Sequence, residues 1–279
     1  MTPLRRAALA AAACAVASLA AAAAPAAPRI ETTPPRLHEL LRGARTVVVG
    51  RVSQVTEYDS GRVAVAELSV ARVIKGDAAA GPLRVVELRS LASVPPVLSR
   101  GEHVVAFLGP AARTSYLRQV LPPGDYLQAP GREAVLSASA EEPVREAGAV
   151  VERLAAASRE PEPDPAKRRA AARALVFDEL QARHPAVVED GVAALAALPD
   201  LEPLSDDERS RLAAAIARDD LPVRLRERLL EQVAALGLED MIGPLAALRS
   251  DDPAVVAASW RALRRLGAAP DERQIAREL

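Results

Sequence analysis

The sequence predicts an α+β protein with two domains, a small antiparallel β-barrel over residues 45–140 and a stack of α-helical hairpins over residues 166–279. The first region is rich in valine and alternates apolar with polar residues, as half-buried strands do. In the second region alanine and leucine recur at helical spacing. The change falls at "REPEPDPAKRR", where three alternating prolines predict a stiff, extended spacer. We group this spacer with the helix predicted before it as residues 141–165.

Residues 1–24, which begin "MTPLRRAALAAAACAVA", carry two arginines and then a long alanine-rich run that ends in small residues. This is the pattern of a secretory signal peptide that is removed on export. The run could instead be a membrane anchor, but alanine holds a bilayer only weakly. It could also be lipidated at Cys14, although the alanines before Cys14 lack the leucine expected three positions upstream. We therefore expect a periplasmic or extracellular protein with no membrane span after cleavage, and a leader with a short helix at residues 25–44.

The barrel prediction rests on five strand-like runs. The first two, "ARTVVVGRVSQVTEY" and "GRVAVAELSVARVIKG", are joined by "DSG", in which Gly61 can take a positive φ for a hairpin turn. In the second run the apolar positions change from odd to even near Ala66–Glu67, which predicts a β-bulge. The runs "LRVVELRS", "EHVVAFLG" and "TSYLRQVL" complete a set that fits a small closed barrel.

The strand pattern "VVVGRV…V…V.RVIKG…GEHVVAFL", over roughly residues 45–135, resembles secreted barrel domains of the OB or netrin/metalloproteinase-inhibitor type. The resemblance implies a barrel that serves as a binding scaffold. Inhibitor members of that group insert an N-terminal cysteine into the zinc site of a protease. The only cysteine here falls within the predicted signal peptide, so the resemblance does not imply that mechanism.

The helical prediction rests on three related stretches, "HPAVVEDGVAALAALPD", "LPVRLRERLLEQVAALG" and "DPAVVAASWRALRRLG". Each carries a proline at the helix start, at residues 185, 222 and 253, and each ends at a helix breaker. Partner helices are predicted before and between them, and the partner that follows Ser205 has Glu208 three residues on, the spacing of a capping box. The closing "PDERQIAREL" would form a terminal helix.

Repeats of 30 to 45 residues are typical of stacked helical hairpins, and this pattern over residues 166–279 resembles HEAT-type repeats. In this alignment Trp260, the only tryptophan, takes the place of Val192, and it lies on one helical face with Val256 and Leu263. We expect Trp260 to fill space between hairpins. A stacking site for a ligand is the alternative.

Composition argues against nucleic-acid binding. The formal net charge is −1, and aromatic residues are few, with three Tyr, two Phe and one Trp in 279 residues. Phosphate backbones need a strong basic excess, and bases need aromatic platforms. Of 36 basic residues only Lys75 and Lys167 are lysines, as expected from the codon bias of a GC-rich genome. Arginine abundance is therefore weak support for any function.

The sequence shows no catalytic or metal-binding motif, and we predict no cofactor. The three histidines, His38, His103 and His184, are far apart and lack H-E-x-x-H spacing. No P-loop, G-x-G-x-x-G or G-x-S-x-G motif is present. Three acidic pairs fall near predicted helix starts, where carboxylates cap free N–H groups. These pairs are Asp206–Asp207, Asp219–Asp220 and Asp251–Asp252.

The remaining candidate site is a set of arginines on the second helices of the hairpins. Equivalent helices of stacked repeats line one surface, so these arginines could dock an acidic protein partner through bidentate carboxylate contacts. The alternative is a solvated face paired with Glu227, Glu231 and neighbouring acids. The candidate residues are Arg224, Arg228, Arg261, Arg264 and Arg265.

Two functions from different classes remain open at this point. The first is an exported, non-catalytic binding or scaffold protein that acts through protein–protein contacts, with an unidentified protein partner. The second is an exported hydrolase or protease-associated regulator whose site is assembled from scattered residues such as His103, Asp125 and Ser115. We favour the first because the repeat pattern is present and a nucleophile motif is not.

Overall fold

The computed structural model describes residues 37–77, 82–89, 97–160, 163–198 and 203–268. The chain is mixed α+β, with a six-stranded sheet followed by seven helices over the described residues, and residues 35–279 form one compact unit. The predicted signal peptide with Cys14, most of the leader, and the predicted terminal helix all lie outside the described residues. No helix in the described ranges has the length and apolar character needed to cross a membrane.

The sheet region contains six strands and two short helices. Their bounds are α1 Leu37–Gly43, β1 Thr46–Tyr58, β2 Val63–Lys75, β3 Leu83–Leu88, β4 His103–Pro110, α2 Ser115–Val120, β5 Leu127–Gln128 and β6 Val135–Ala138. The helical region follows without further strands in the described ranges. Its helices are α3 Glu141–Arg159, α4 Pro165–Gln181, α5 Pro185–Leu195, α6 Asp206–Ala217, α7 Val223–Ala235, α8 Ile242–Ala246 and α9 Pro253–Arg265.

The strand pairings form a closed cycle. β1 pairs antiparallel with β2 on one side and with β4 on the other. β2 continues to β3, β3 pairs in parallel with the short β5, and β5 returns antiparallel to β4. β6 adds to the other edge of β4. A set of valines and leucines from β1 to β4 packs together as a buried core, including Val48, Val52, Leu68, Val85 and Val104.

The β1–β2 hairpin follows the sequence closely. Gly61 has φ +87, as its place in the turn requires, and Asp59 and Ser60 also have positive φ. The Tyr116 hydroxyl donates to Asp59 Oδ2 at 2.5 Å and holds this strained turn. The register of the β1–β2 pair shifts between Val52 and Gln54. This irregularity lies opposite Glu67 and Leu68 of β2, next to the predicted bulge, but the extra residue is in β1.

The fifth predicted strand, "TSYLRQVL", is wrong: these residues form helix α2. Thr114 is the N-cap, and its hydroxyl accepts a hydrogen bond from the Leu117 amide at 3.2 Å. Leu117 and Leu121, four residues apart, are both buried, so a helical face meets the sheet here. The sheet is completed instead by β5, which pairs with β3 and β4, and by β6, which pairs with β4.

The helical region is a stack of hairpins. α4 packs against α5, α6 against α7 and α8 against α9, while α7 also packs against α9 of the next hairpin. One apolar core runs through the stack, and Trp260 packs against it while remaining only partly buried. The capping box is confirmed, because the Ser205 hydroxyl accepts from the Glu208 amide and Glu208 accepts from the Ser205 amide.

Arginines tie successive helices of the stack together. Arg173 of α4 contacts both carboxylate oxygens of Glu208 on α6, and Arg211 of α6 reaches Asp178 on α4 at 2.6 Å. Arg226 is 3% exposed, and it donates to the Ile216 carbonyl at the end of α6 at 3.0 Å. The same guanidinium also reaches the side chains of Asp219, at 3.0 Å, and Ser250, at 3.2 Å. Nothing in the sequence pattern distinguishes these structural arginines from the many others in the chain.

The sheet and the helical stack share an apolar core. Phe107 and Leu136 of the sheet pack with α3, and with Ala182 and Val187 at the start of the stack. His184 Nε2 lies 3.2 Å from the Ser137 carbonyl of β6, and burial lowers the pKa of this histidine. Of the predicted spacer, Pro165 belongs to α4 as a first-turn residue, and Pro161 lies outside the described residues.

Candidate functional site

A cleft of about 1130 Å³ opens at one edge of the sheet, beside α2. Because neighbouring strands are antiparallel, the start of β1, the end of β2, the start of β3 and the end of β4 all meet at this edge. Helix α2 and the loop at residues 121–126 form the opposite wall. The cleft is therefore built from segments that are distant in the sequence.

The rim of the cleft carries four arginines, Arg45, Arg84, Arg113 and Arg118, and two aspartates, Asp77 and Asp125. All six are exposed. Within the described residues, the guanidiniums of Arg45, Arg113 and Arg118 make no hydrogen bond or ion pair, and Arg84 has only a 3.7 Å contact with Glu67. Counted by these side chains, the rim has an excess of two positive charges. The described rim therefore presents more positive than negative side-chain charge.

The floor of the cleft is apolar. Leu117 of α2 and Leu121, the residue after the helix, are 5% and 9% exposed and pack on the sheet. Leu83, Tyr126 and Leu127 are half-buried. Four prolines surround this floor and present further apolar surface, namely Pro82, Pro110, Pro122 and Pro123. A ligand held by the arginines would therefore also contact hydrocarbon.

Close backbone contacts fix the walls. Gly76 has φ +79, and a Cβ at this position would lie 2.5 Å from the Arg45 carbonyl oxygen. Only glycine allows this approach, which brings the end of β2, and with it Asp77, beside Arg45. On the other wall the Tyr126 hydroxyl donates to the Pro122 carbonyl at 2.9 Å, so the loop between them is held closed.

Among the described residues, the lining of the cleft provides charge and apolar surface but no nucleophile paired with a base. This described lining contains no serine, cysteine, lysine or histidine, and its one threonine, Thr46, is 3% exposed. Activated nucleophiles require a base within hydrogen-bond reach. Within the described residues, the lining therefore provides groups that can bind an anion against an apolar surface.

The residues considered for a hydrolase do not converge. Asp125 lines the cleft, two residues before Leu127, which pairs with Pro110 at the end of β4. His103 begins β4 and Pro110 ends it, so the two residues are about 23 Å apart along the strand at 3.3 Å per residue. His103 is therefore far from Asp125. Ser115 is the first residue of α2, and it is not part of the lining.

The five arginines proposed for docking occupy α7 and α9. Arg228 pairs with Glu189 of α5 at 2.5 Å, and Arg261 lies 3.7 Å from Glu227 of α7. Arg264 and Arg265 are exposed, and they make no ion pair or hydrogen bond within the described residues. A shallow groove of about 310 Å³ separates α7 from α9 beside Arg261, Arg264 and Arg265. Arg224 is exposed at the start of α7.

The acidic pairs have mixed roles. Asp252 caps α9 by accepting from the Ala254 amide at 2.8 Å, and Asp206 and Asp207 lie in the first turn of α6. The pair Asp219–Asp220 was assigned wrongly, because neither residue caps a helix. Asp219 forms an ion pair with Arg226, and Asp220 forms one with Arg218. The N-cap of α7 is Pro222, which makes no side-chain cap.

The histidines and acids of the described residues do not assemble a metal site. Among these residues no group of three or more His, Cys, Asp or Glu side chains could hold a metal ion. His38 is on the exposed side of α1 beside Arg42, and His184 is buried against β6.

A buried carboxyl in the stack was not anticipated. Glu179 of α4 is 3% exposed, and its Oε2 has no hydrogen-bond partner among the described residues. Burial raises its pKa to about 8, and the nearby carboxylates of Asp190 and Asp178 add to the effect. In the sequence Glu179 looks like any other polar position of an amphipathic helix.

No protein-family model matches the chain, and a comparison with curated proteins likewise finds no match.

Proposed function

We propose that this chain is an exported, non-catalytic binding protein that acts as a scaffold through contacts with another protein. The observation that carries the proposal is the open cleft beside α2. The guanidiniums of Arg45, Arg113 and Arg118 on its rim lack partners within the described residues, and the described part of its lining has no nucleophile with a base. Arginines without internal partners above an apolar floor are the composition expected at the centre of a binding interface.

The proposal includes a finer description of the fold, a small closed barrel of the OB type followed by HEAT-like repeats. The cycle of pairings from β1 through β2, β3, β5 and β4 back to β1 supports the barrel. Three successive helical hairpins with a continuous core support the repeats. Barrels and helical stacks of these kinds both serve as binding scaffolds.

Export through a signal peptide at residues 1–24 is also part of the proposal, and the support is the sequence pattern alone. The test is expression of the full chain with a C-terminal tag, followed by fractionation and N-terminal sequencing of the product. A product in the envelope or medium whose first residue lies near position 25 supports export. A cytoplasmic product that still begins at Met1 contradicts it.

The binding function is tested by immobilising the intact mature chain and identifying the proteins that it retains. Because the sheet and the stack share a core, the two halves are not assayed separately. The wild type is immobilised beside three variants of equal charge change. These are Arg113→Glu/Arg118→Glu in the cleft, Arg264→Glu/Arg265→Glu on α9, and the control Arg100→Glu/Arg169→Glu outside both. Arg100 and Arg169 are exposed and make no ion pair or hydrogen bond within the described residues.

Two outcomes of the capture experiment and one outcome of an activity assay decide the test. Retention of one protein by the wild type and by the outside variant, but not by the cleft variant, supports the proposal. Loss of capture only with Arg264→Glu/Arg265→Glu would move the interface to α7 and α9. Turnover of a substrate that a single point mutation abolishes would overturn the non-catalytic assignment.

A further inference from the structure

We propose that the cleft beside α2 binds an acidic segment of a partner polypeptide, in which carboxylate side chains alternate with apolar ones. This inference deepens the proposed function and rests on it for the partner being a protein. The charge, the size and the apolar floor of the cleft together indicate the chemistry of the ligand.

The charge of the rim selects carboxylates. Arg45 precedes β1, Arg113 lies in the loop before α2, and Arg118 belongs to α2, so the rim presents three guanidinium groups from different parts of the fold. A guanidinium binds a carboxylate through two parallel N–H···O bonds, and separated groups fit side chains spaced along a chain. None of the three has to break an ion pair with a described residue in order to bind.

The same rim disfavours nucleic acid. Asp77 and Asp125 stand among the arginines, and a strand with a phosphate at every nucleotide would place negative charge beside both of them. Tyr126 is the one aromatic residue among the described lining residues, and it is half-buried. Single-stranded nucleic acids need several stacking surfaces. A peptide can leave a neutral or basic side chain opposite each aspartate.

The size of the cleft exceeds what a small acid needs. Sites for small molecules enclose about 300–1000 Å³ and surround most of the ligand. This cleft has a volume of about 1130 Å³ and is open along one side. A free dicarboxylate would reach two of the arginines at most and leave the floor uncovered.

The floor explains why the ligand must also be apolar. Leu83, Leu127 and the ring of Tyr126 are half-buried, and the four surrounding prolines add rigid hydrocarbon. Covering this surface removes apolar area from water, which supplies binding free energy that does not depend on salt. A purely acidic peptide would satisfy the rim and leave this contribution unused.

The test is fluorescence anisotropy with three labelled peptides and the intact mature chain. The peptides contain three repeats of Glu-Leu-Pro, of Gln-Leu-Pro or of Glu-Gly-Ser. We expect the first to bind at least about tenfold more tightly than either of the others, since it alone meets both rim and floor. Its affinity should fall as the ionic strength is raised, because exposed charges are screened.

Matched variants place the site. Arg113→Glu/Arg118→Glu should weaken binding of the Glu-Leu-Pro peptide by more than about tenfold, while Arg100→Glu/Arg169→Glu leaves it within about twofold. The milder Arg113→Gln/Arg118→Gln serves if the reversed pair fails to fold, and circular dichroism with thermal melting checks each variant. Equal loss in the cleft and outside variants would overturn the proposal.

Competition experiments distinguish an acidic peptide from other anionic ligands. Displacement of the peptide by free citrate at equal carboxylate concentration, or tighter binding of a thymidine oligonucleotide, would overturn the assignment of an acidic segment. If the intact protein captures a partner through the cleft but binds none of the peptides, only this inference fails. If capture also fails, the proposed function fails with it.

Discussion

Replacing Glu179 with glutamine should stabilise the protein at neutral pH and flatten the pH dependence of its stability. Glu179 is buried, one of its oxygens has no partner among the described residues, and its pKa is raised from 4.5 to about 8. The folded state therefore holds the proton more tightly than the unfolded state does. Between about pH 4.5 and 8 the free energy of unfolding falls as pH rises, because folding takes up a proton.

The magnitude follows from the shift. Each pKa unit corresponds to about 1.4 kcal/mol, so Glu179 costs about 3 kcal/mol at pH 7 relative to its protonated form. Glutamine has the shape of the protonated acid and cannot ionise. Near pH 4.5 the variant and the wild type should be about equally stable, and at pH 7 the variant should be more stable.

The assay is urea unfolding followed by far-ultraviolet circular dichroism at several pH values between 4.5 and 8. Glu231→Gln, which changes an exposed glutamate of α7, controls for removal of a charge from the stack. The reasoning is refuted if the curves of wild type and Glu179→Gln run parallel across this range. A constant offset would mean that the substitution acts through packing alone.

Three further substitutions test the stack. Arg226→Met should cost about 2–4 kcal/mol in chemical unfolding, and Arg226→Lys should rescue little, because three partners need the guanidinium fork. Gly191→Ala should lower the melting temperature, since the new Cβ would lie 2.8 Å from Glu179 Cβ, whereas Gly243→Ala, with nothing within 4 Å, should not. Glu208→Gln should destabilise at neutral pH. The hydrogen bond from Arg173 lowers the pKa of Glu208 to about 2, so the stability this carboxylate adds is lost as pH falls from about 4.5 toward 2, where wild type and variant should converge in acid titration.

The sequence predicted the parts of the fold that depend on local pattern. The β1–β2 hairpin was readable because Gly61 marks its turn, whereas the irregularity predicted in β2 near Ala66 is a register shift whose extra residue lies in β1, opposite this position. The capping box at Ser205 and the proline starts of α5 and α9 were likewise set by neighbouring residues. These features need no knowledge of distant contacts.

Short segments with ambiguous periodicity were misread. The run that forms α2 has apolar residues that fit either a strand or a single helical face. The cap at Thr114 and the burial of Leu117 with Leu121 decide for the helix, and both depend on the sheet beneath. β5, with two residues, owes its pairing to β3 and β4 rather than to its own propensity.

The cleft could not be found from the sequence. Arg45 and Arg118 are more than seventy positions apart and meet only because the ends of antiparallel strands share an edge with α2. In a chain so rich in arginine, neither residue is distinctive. For the same reason the sequence did not single out Arg226, whose structural role follows from its burial among three hydrogen-bond partners.

Hydrogen–deuterium exchange of the intact protein, with and without the Glu-Leu-Pro peptide, tests the central claim most directly. Binding in the cleft should slow exchange at residues 111–127 and at the start of β3, and leave α7 and α9 unchanged. Protection confined to α7 and α9, or no change at residues 111–127 when the peptide is bound, would contradict the account.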